Sequence, residues 1–173
     1  MALRVVAILE PVTRPMPPEI DAGWTAPEGS WATSEATRRT MLHNRGRDTK
    51  PELRLRSEVH RRGLRYLVNR RPVREIRRTA DLVFTRARVA VFVDGCFWHG
   101  CPEHATIPTR NRDFWEPKLT GTIARDRETD RLLGDQGWTV IRIWEHELVA
   151  EAATRVELAV EAMRPRRGGR PSN

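Results

Sequence analysis

The sequence predicts an α/β domain in which a mixed central sheet is flanked by helices. Two observations carry this prediction. Residues 79–84 and 89–94 contain unbroken apolar runs on either side of a short polar turn, which is typical of a hairpin in a sheet covered on both faces. Helical patterns precede the hairpin and alternate with strands after it, in the order helix–strand–strand–strand–helix–strand–helix.

The remaining elements follow from apolar spacing and from end signals. Four helices are expected, at 32–44, 48–63, 114–137 and 147–163. Two further strands are expected, at 64–70 and 138–145. The second helix is well marked, because Thr49 or Asp48 can cap it, Pro51 lies near its first turn and Gly63 can end it.

Composition indicates one folded domain, at 31–163, between two irregular ends. Residues 1–30 hold five of the twelve prolines, and residues 164–173 form a basic Gly- and Pro-rich tail. Both ends are expected to be extended or disordered. No apolar run approaches the roughly 18 residues that span a bilayer, so we expect a soluble, monomeric, cytoplasmic protein.

The charge of the chain favours a nucleic-acid partner. The formal net charge is +8, and Lys50 and Lys118 are the only lysines, so arginine supplies nearly all of the positive charge. Guanidinium groups bind phosphate oxygens in a bidentate manner, which suits a nucleic-acid backbone. A genome that favours arginine codons is the alternative explanation.

Two aspartates mark the hairpin. Asp81 begins the first strand and Asp94 ends the second, so antiparallel pairing brings both carboxylates to one end of the sheet. Such a pair is costly without a cation, and hard oxygen ligands suit Mg²⁺, which can polarise a phosphodiester. The alternative is that each acid ends its strand in solvent. Glu52 is a candidate third acid, with a solvated helix face as its alternative.

This order of acids resembles the restriction-endonuclease-like nuclease core. Cys96 stands where that core usually has its final lysine, so another group must activate the attacking water. His99 is the nearest candidate.

The same segment contains a predicted zinc site. Cys96, Cys101 and His104 offer three ligands for a tetrahedral Zn²⁺, and His146, after the last predicted strand, is the candidate fourth. A four-coordinate zinc is structural and would staple the loop at 95–105 to the sheet. The alternative is two reduced cysteines beside unrelated histidines.

Three aromatic residues accompany these groups. Phe97 and Trp98 lie between a zinc ligand and the candidate base, and Trp115 lies nearby. Such rings can wedge between base pairs of DNA. Packing in the core is the alternative for each of them.

Six segments of the chain resemble, in order and spacing, the very-short-patch-repair (Vsr) family of DNA mismatch endonucleases. They are RDTKPE (47–52), ADLVF (80–84), VFVDGCFWHGCPEH (91–104), FWEPKL (114–119), ARDRETDRLL (124–133) and GWTVIRIWEHEL (137–148). The resemblance implies nicking of DNA 5′ to the thymine of a T:G mismatch, the lesion left when 5-methylcytosine deaminates.

The resemblance also implies roles for single residues. Asp81 matches the metal-binding aspartate, His99 the base, Glu52 the acid of the first helix and Asp126 an aspartate that supports the active site. The Cys/His set matches the structural zinc ligands, and the three aromatic residues match the intercalating ones. Asp94 departs from the pattern, because a well-studied enteric member has histidine there.

The expected function is therefore a Mg²⁺-dependent endonuclease that nicks one strand at T:G mismatches in double-stranded DNA. A nucleoid-associated location and contacts with other mismatch-repair proteins are expected to accompany it. Two alternatives stay open at this stage. One is a restriction-system nuclease that cuts matched DNA, and the other is a zinc-stabilised DNA-binding module without catalysis.

Overall fold

A computed structural model describes residues 46–109 and 112–164, together with Glu35 and Arg39. These residues form seven elements, here called α1 (Lys50–Arg61), β1 (Leu67–Arg70), β2 (Ala80–Phe84), β3 (Val89–Asp94), α2 (Arg112–Asp135), β4 (Thr139–Trp144) and α3 (Val149–Met163). The predicted order of elements is confirmed over this part of the chain.

Three predicted segments lie outside the described residues. They are the leader at 1–30, the tail beyond Arg164 and most of the helix at 32–44. Glu35 and Arg39, which belong to the last of these segments, are both helical.

The four strands form one mixed sheet in the order β1-β2-β3-β4. β1, β2 and β3 pair antiparallel, and β3 pairs with β4 in parallel from Val89 opposite Thr139 to Asp94 opposite Trp144. The predicted hairpin and the mixed sheet are confirmed. The parallel pair matters for function, because β3 and β4 end at the same edge of the sheet.

Helices cover both faces of the sheet. On one face, α1 and α3 pack on alternate residues of the strands, among them Leu82 and Val91. On the other face, Leu133 of α2 packs with Ala90 and Phe92. This double coverage is the reason that the hairpin strands are apolar on both faces except at Asp81 and Asp94. None of the described helices is long and apolar enough to cross a bilayer.

The first strand is shorter than predicted. The sequence favoured a strand at 64–70, whereas β1 begins at Leu67. Leu64 N–H still bonds to the Val59 carbonyl of α1, and the Leu64 side chain is 4% exposed. Gly63, with a φ of +83°, ends α1 as predicted, so the next residue completes the turn and its side chain fills the core before the strand begins.

Leu55 and Leu53 of α1 offer a matched test of this packing. Leu55 is 2% exposed within the core, whereas Leu53 is 50% exposed. We expect Leu55→Ala to lower the free energy of unfolding by about 2–5 kcal/mol, because a buried cavity remains. Leu53→Ala is expected to change it by less than about 0.5 kcal/mol. Urea denaturation measures both, and equal effects would contradict the assignment of the core face.

Candidate active site and metal centre

The functional residues expected from the sequence gather where β3 and β4 end. The two strands run side by side to their last residues, so the chain leaves the sheet twice at one edge. Glu145 N–H donates to the Asp94 carbonyl (3.0 Å), and Cys96 N–H donates to the Glu145 carboxylate (2.7 Å). The loop after β3 and the residues after β4 are therefore held together.

The loop at 95–105 also rests on α2 through Gly100. This residue has a φ of +69°, and a Cβ added to it would lie 2.5 Å from Cδ1 of Ile123. Only glycine combines this backbone conformation with so close an approach. Ile123 is half-buried against the loop at this contact.

Four side chains at this edge form a cluster of metal-ligand type. Cys96 Sγ lies 3.9 Å from His104 Nδ1 and 3.0 Å from His146 Nδ1. Cys101 Sγ lies 3.7 Å from each of the same nitrogens. Tetrahedral zinc, with Zn–S and Zn–N bonds of about 2.3 and 2.0 Å, separates sulfur and nitrogen ligands by about 3.5 Å. The four distances bracket that value, so these residues could hold such an ion.

The two cysteines of the cluster are buried and reduced. They are 8% and 0% exposed, and neither forms a disulfide. Burial raises the pKa of the Cys96 thiol to about 12, and the adjacent Cys101 thiol adds to the rise. A bound metal ion deprotonates such thiols. The chemistry of the donor set therefore agrees with its geometry.

His99 lies in the same loop but contacts a different group of side chains. Its Nδ1 is 2.7 Å from Asp126 Oδ2 on α2 and 3.5 Å from Asp94 Oδ1. Burial opposes the charged imidazole, but the hydrogen bond to Asp126 and the charges of both aspartates outweigh it and raise the pKa of His99. Burial favours the neutral form of Asp126 as well, but the hydrogen bond from His99 and the charges of Arg142 and His99 outweigh this effect, so the pKa of Asp126 is lowered.

Arg142, in the middle of β4, binds this group of acids. Its Nη1 donates to both carboxylate oxygens of Asp94, at 3.0 and 2.8 Å, and its Nη2 lies 3.2 Å from Asp126 Oδ1. Its Nε donates to Asp130 at 2.9 Å. Sequence reasoning missed Arg142 and Asp130. Arg142 could have been identified from the segment VIRIW, because a charged residue inside an otherwise apolar strand implies buried acidic partners.

Asp81 differs from these acids because no arginine or lysine of the described chain forms an ion pair with it. Its Oδ2 accepts the Val93 N–H at 2.8 Å. Burial raises the pKa of Asp81 to about 6, and the charges of Glu52 and Asp94 add to the rise, against the Val93 hydrogen bond and Arg56. Asp81 is half-buried, and a partly desolvated carboxylate with acidic neighbours and no paired cation is suited to bind a metal ion.

The two hairpin aspartates lie at the same edge of the sheet and interact electrostatically, but they have different partners. Asp94 is 3% exposed, which rules out the alternative that it ends its strand in solvent. Burial raises the pKa of Asp94, although Arg142 and His99 oppose the shift. Both of its oxygens are engaged by Arg142, whereas those of Asp81 are not.

Glu52 lies inside the protein rather than on a solvated helix face. It is 4% exposed. Its carboxylate accepts hydrogen bonds from the Asp48 N–H (2.9 Å), the Thr49 hydroxyl (2.8 Å) and Arg56 Nη2 (2.8 Å). Thr49 is the N-cap residue as predicted, but its hydroxyl donates to Glu52 instead of capping the helix. These contacts orient Glu52 close enough to Asp81 to affect its pKa.

The three predicted wedge residues form one aromatic cluster. Phe97 has its ring centroid 5.0 Å from that of Trp98 and 5.4 Å from that of Trp115. Phe97 and Trp98 are half-buried, whereas Trp115 is 6% exposed and supports them from α2. Lys118 Nζ lies 5.3 Å from the Trp98 ring centroid. Two partly accessible rings and a cation therefore adjoin the loop that carries His99.

The chain is similar to proteins that cut DNA. The family model described as DNA mismatch endonuclease Vsr matches residues 31–104. The type II nicking enzyme V.NaeI of Lentzea aerocolonigenes is 44% identical over 120 residues, which cover 68% of this chain and 72% of that enzyme. The type II nicking enzyme V.NmeDIP of Neisseria meningitidis serogroup C is 36% identical over 138 residues, covering 79% and 91%. The DNA mismatch endonuclease Vsr of Escherichia coli (strain K12) is 32% identical over 102 residues, covering 57% and 62%.

Asp81→Asn tests the electrostatics of the site. The folded-state pKa of about 6 exceeds the ordinary value of 3.8, so the cost of ionising this carboxyl in the fold grows between about pH 4 and pH 6 and is fully present above about pH 6. Below about pH 4 the carboxyl is protonated in both states and the cost vanishes. In Mg²⁺-free buffer at pH 8 we therefore expect the variant to be more stable by on the order of 1–3 kcal/mol, with a difference that shrinks as the pH falls.

Urea denaturation across this pH range measures the effect, with Asp135→Asn as the control. Asp135 pairs with Arg131 on the exposed face of α2, so its replacement is expected to change stability by less than about 1 kcal/mol. Equal stabilities of Asp81→Asn and the unmodified protein at pH 8 would contradict the burial of this carboxylate.

Proposed function

The chain belongs to the Vsr family of DNA endonucleases, and from this premise we propose that it nicks one strand of double-stranded DNA at a T:G mismatch. The reaction would begin the repair of deaminated 5-methylcytosine. The observation that carries the proposal is the pair of His99 and Asp126 at the edge of the sheet where Asp81 also lies.

His99 is the proposed general base. Since its Nδ1 hydrogen bonds to Asp126, the proton is assigned to Nδ1 and the lone pair of Nε2 is left to accept a proton from water. Asp126 holds the ring and stabilises the imidazolium that forms. The charge interactions that raise the pKa of His99 strengthen it as a proton acceptor.

Asp81 is the proposed protein ligand of Mg²⁺. Its carboxylate has no paired cation among the described residues, and Glu52, fixed by Arg56, lies within electrostatic range. When bound, Mg²⁺ supplies Lewis-acid stabilisation of the charge that develops on the phosphate. Asp94 was expected to be a second ligand, but its two oxygens accept hydrogen bonds from Arg142.

The Cys/His cluster is the proposed structural zinc site. All four ligand positions would come from Cys96, Cys101, His104 and His146, which leaves no open position for catalysis. The ion would join the loop after β3 to the end of β4. Together with the acids on β2 and β3 of a mixed sheet, this arrangement supports the proposed restriction-endonuclease-like core.

Phe97 and Trp98 are the side chains proposed to recognise the mismatch. Aromatic side chains that enter a base step must unstack it, and a mismatched step requires less energy to unstack. Trp115 would support the two rings from below. Arginine would hold the DNA backbone, so that affinity falls steeply with salt. A monomer acting on nucleoid DNA in the cytoplasm, with mismatch-repair proteins as further partners, completes the proposal.

A nuclease of a restriction system that cuts matched DNA is the second candidate. It is favoured by the names of two relatives, which are called type II nicking enzymes. The two candidates differ only in the substrate, because both would use the same residues for hydrolysis.

A nicking assay separates them. We expect a duplex with one T:G pair to be nicked on the thymine strand in the presence of Mg²⁺, and the same duplex with T:A to be left intact. Because the flanking sequence is unknown, a pool of randomised flanks is used. Equal nicking of T:G and T:A would support the second candidate, and no nicking of either would contradict the nuclease proposal.

Asp81→Ala tests the assigned metal ligand. We expect nicking of the T:G duplex to be lost, while the affinity for that duplex in a gel-shift assay stays unchanged or rises slightly as a negative charge is removed. Asp135→Ala, on the exposed face of α2, serves as the control and should nick normally. Residual nicking by Asp81→Ala at a rate near that of the control would contradict the role of Asp81.

Metal analysis tests the zinc site. The purified protein is expected to contain about one zinc ion per chain. Cys101→Ala and His146→Ala should reduce that content because each removes one ligand, whereas His60→Ala, an exposed histidine of α1, should retain it. A zinc-free protein, or full zinc content in both ligand variants, would contradict the assignment.

A further inference from the structure

An arginine-centred network links three elements beneath the candidate active site. The side chain of Arg142 is 11% exposed, and its Cζ lies 5.0 Å from the ring centroid of Phe92. It bonds to Asp94 at the end of β3, and to Asp126 and Asp130 on α2. All three guanidinium nitrogens are used. The network therefore ties α2 to the strands whose ends form the site.

The shape of the guanidinium group matters as much as its charge. Nη1 contacts Asp94, Nη2 contacts the side chain of Asp126 and its backbone carbonyl (3.3 Å), and Nε contacts Asp130. A lysine ammonium is a compact charge that cannot contact three separated carboxylates in these directions. Arg142→Lys would thus keep the charge and lose the geometry.

Asp126 is shared between Arg142 and His99. Arg142 Nη2 lies 3.2 Å from Oδ1 of this carboxylate, and His99 Nδ1 lies 2.7 Å from Oδ2. Each contact uses a different oxygen of the carboxylate. Arg142 therefore fixes the rotation of the carboxylate, and the carboxylate in turn orients the imidazole of His99. Without Arg142, the rotation of the Asp126 side chain, and with it the direction of the proposed base, would be less restricted.

The same arginine occupies the carboxylate of Asp94, which is therefore not free to bind a metal ion. Each of its oxygens accepts a hydrogen bond from Arg142 Nη1, at 3.0 and 2.8 Å, and the residue is 3% exposed. A metal ion bound to Asp94 would have to replace these two hydrogen bonds and leave a buried guanidinium with fewer partners, which is costly. Asp81 has no such competitor.

We propose that Arg142 is the positioning residue of the nuclease site: it fixes Asp126, and through it His99, and it holds Asp94 as a structural anchor rather than as a metal ligand. This inference rests on the proposed nicking function for its kinetic consequences. The position of the imidazole can be measured without DNA or Mg²⁺.

The first measurement is made on the zinc-loaded protein alone. In protein labelled with ¹⁵N-histidine, the Nδ1 proton that His99 shares with Asp126 should give a low-field proton resonance, assigned by its absence from His99→Asn. We expect Arg142→Lys to broaden or lose this signal. The control is Arg62→Lys, because Arg62 likewise joins two helices through Glu58 and Glu157 but lies away from the site.

The second measurement is single-turnover nicking of the T:G duplex. Arg142→Lys should lower the rate at saturating protein by about tenfold to a hundredfold, as expected for a misoriented catalytic group, and leave duplex affinity unchanged. Arg62→Lys should leave both unchanged. Asp94→Asn should lower the rate but keep the Mg²⁺ concentration for half-maximal rate, since Asp94 is not a ligand.

The outcomes separate this inference from the proposed function. A full nicking rate with an intact resonance in Arg142→Lys would overturn the positioning role, and a large rise in the Mg²⁺ requirement of Asp94→Asn would overturn its exclusion from the metal. If the unmodified protein nicks no duplex, the proposed function fails, and the His99 proton resonance alone tests the positioning role of Arg142. Persistence of this resonance in Arg142→Lys would overturn that role, and its loss would support it.

Discussion

The parallel pairing of β3 with β4 is the constraint on which the site depends. Because the strands run in the same direction and end opposite each other, at Asp94 and Trp144, two distant chain segments leave the sheet at one edge. The Cys/His cluster joins these segments, and Gly100 seats the loop on α2. The Cys/His cluster, the candidate base and the aromatic cluster therefore lie at one edge of the sheet.

Electrostatics divides the acids of this edge into two groups. Asp94, Asp126 and Asp130 each form an ion pair with Arg142, and Glu52 forms one with Arg56. Asp81 is left without a basic partner in the described chain, with its pKa raised to about 6 by burial. Desolvation of a carboxylate that forms no ion pair destabilises a protein, and such groups are more often found at binding or catalytic sites than in a structural core. The division explains how several close acids can have different roles.

Much of this was predictable from the sequence, for physical reasons. The hairpin was visible because both faces of the sheet are covered, and the Cys/His cluster because its ligands are close in the chain except for His146. The predicted strand at 64–70 was too long, since tertiary packing draws Leu64 into the core. Arg142 was missed because its partners are distant in sequence, and the choice between a site acid and a solvated face stayed open for Glu52 because spacing along a helix does not report contacts with the preceding turn.

The zinc site proposed for the Cys/His cluster would hold the loop at 95–105 that carries His99, while the core folds without it. The most direct test compares Cys101→Ala with the unmodified protein by far-UV circular dichroism and by single-turnover nicking of a T:G duplex. We expect the helical signal of the core to persist, because neither core cluster of the described residues contains Cys101. The nicking rate should fall at least about a hundredfold, because His99 and the aromatic cluster lose their fixed positions. A folded, zinc-free variant that nicks at the normal rate would contradict the account.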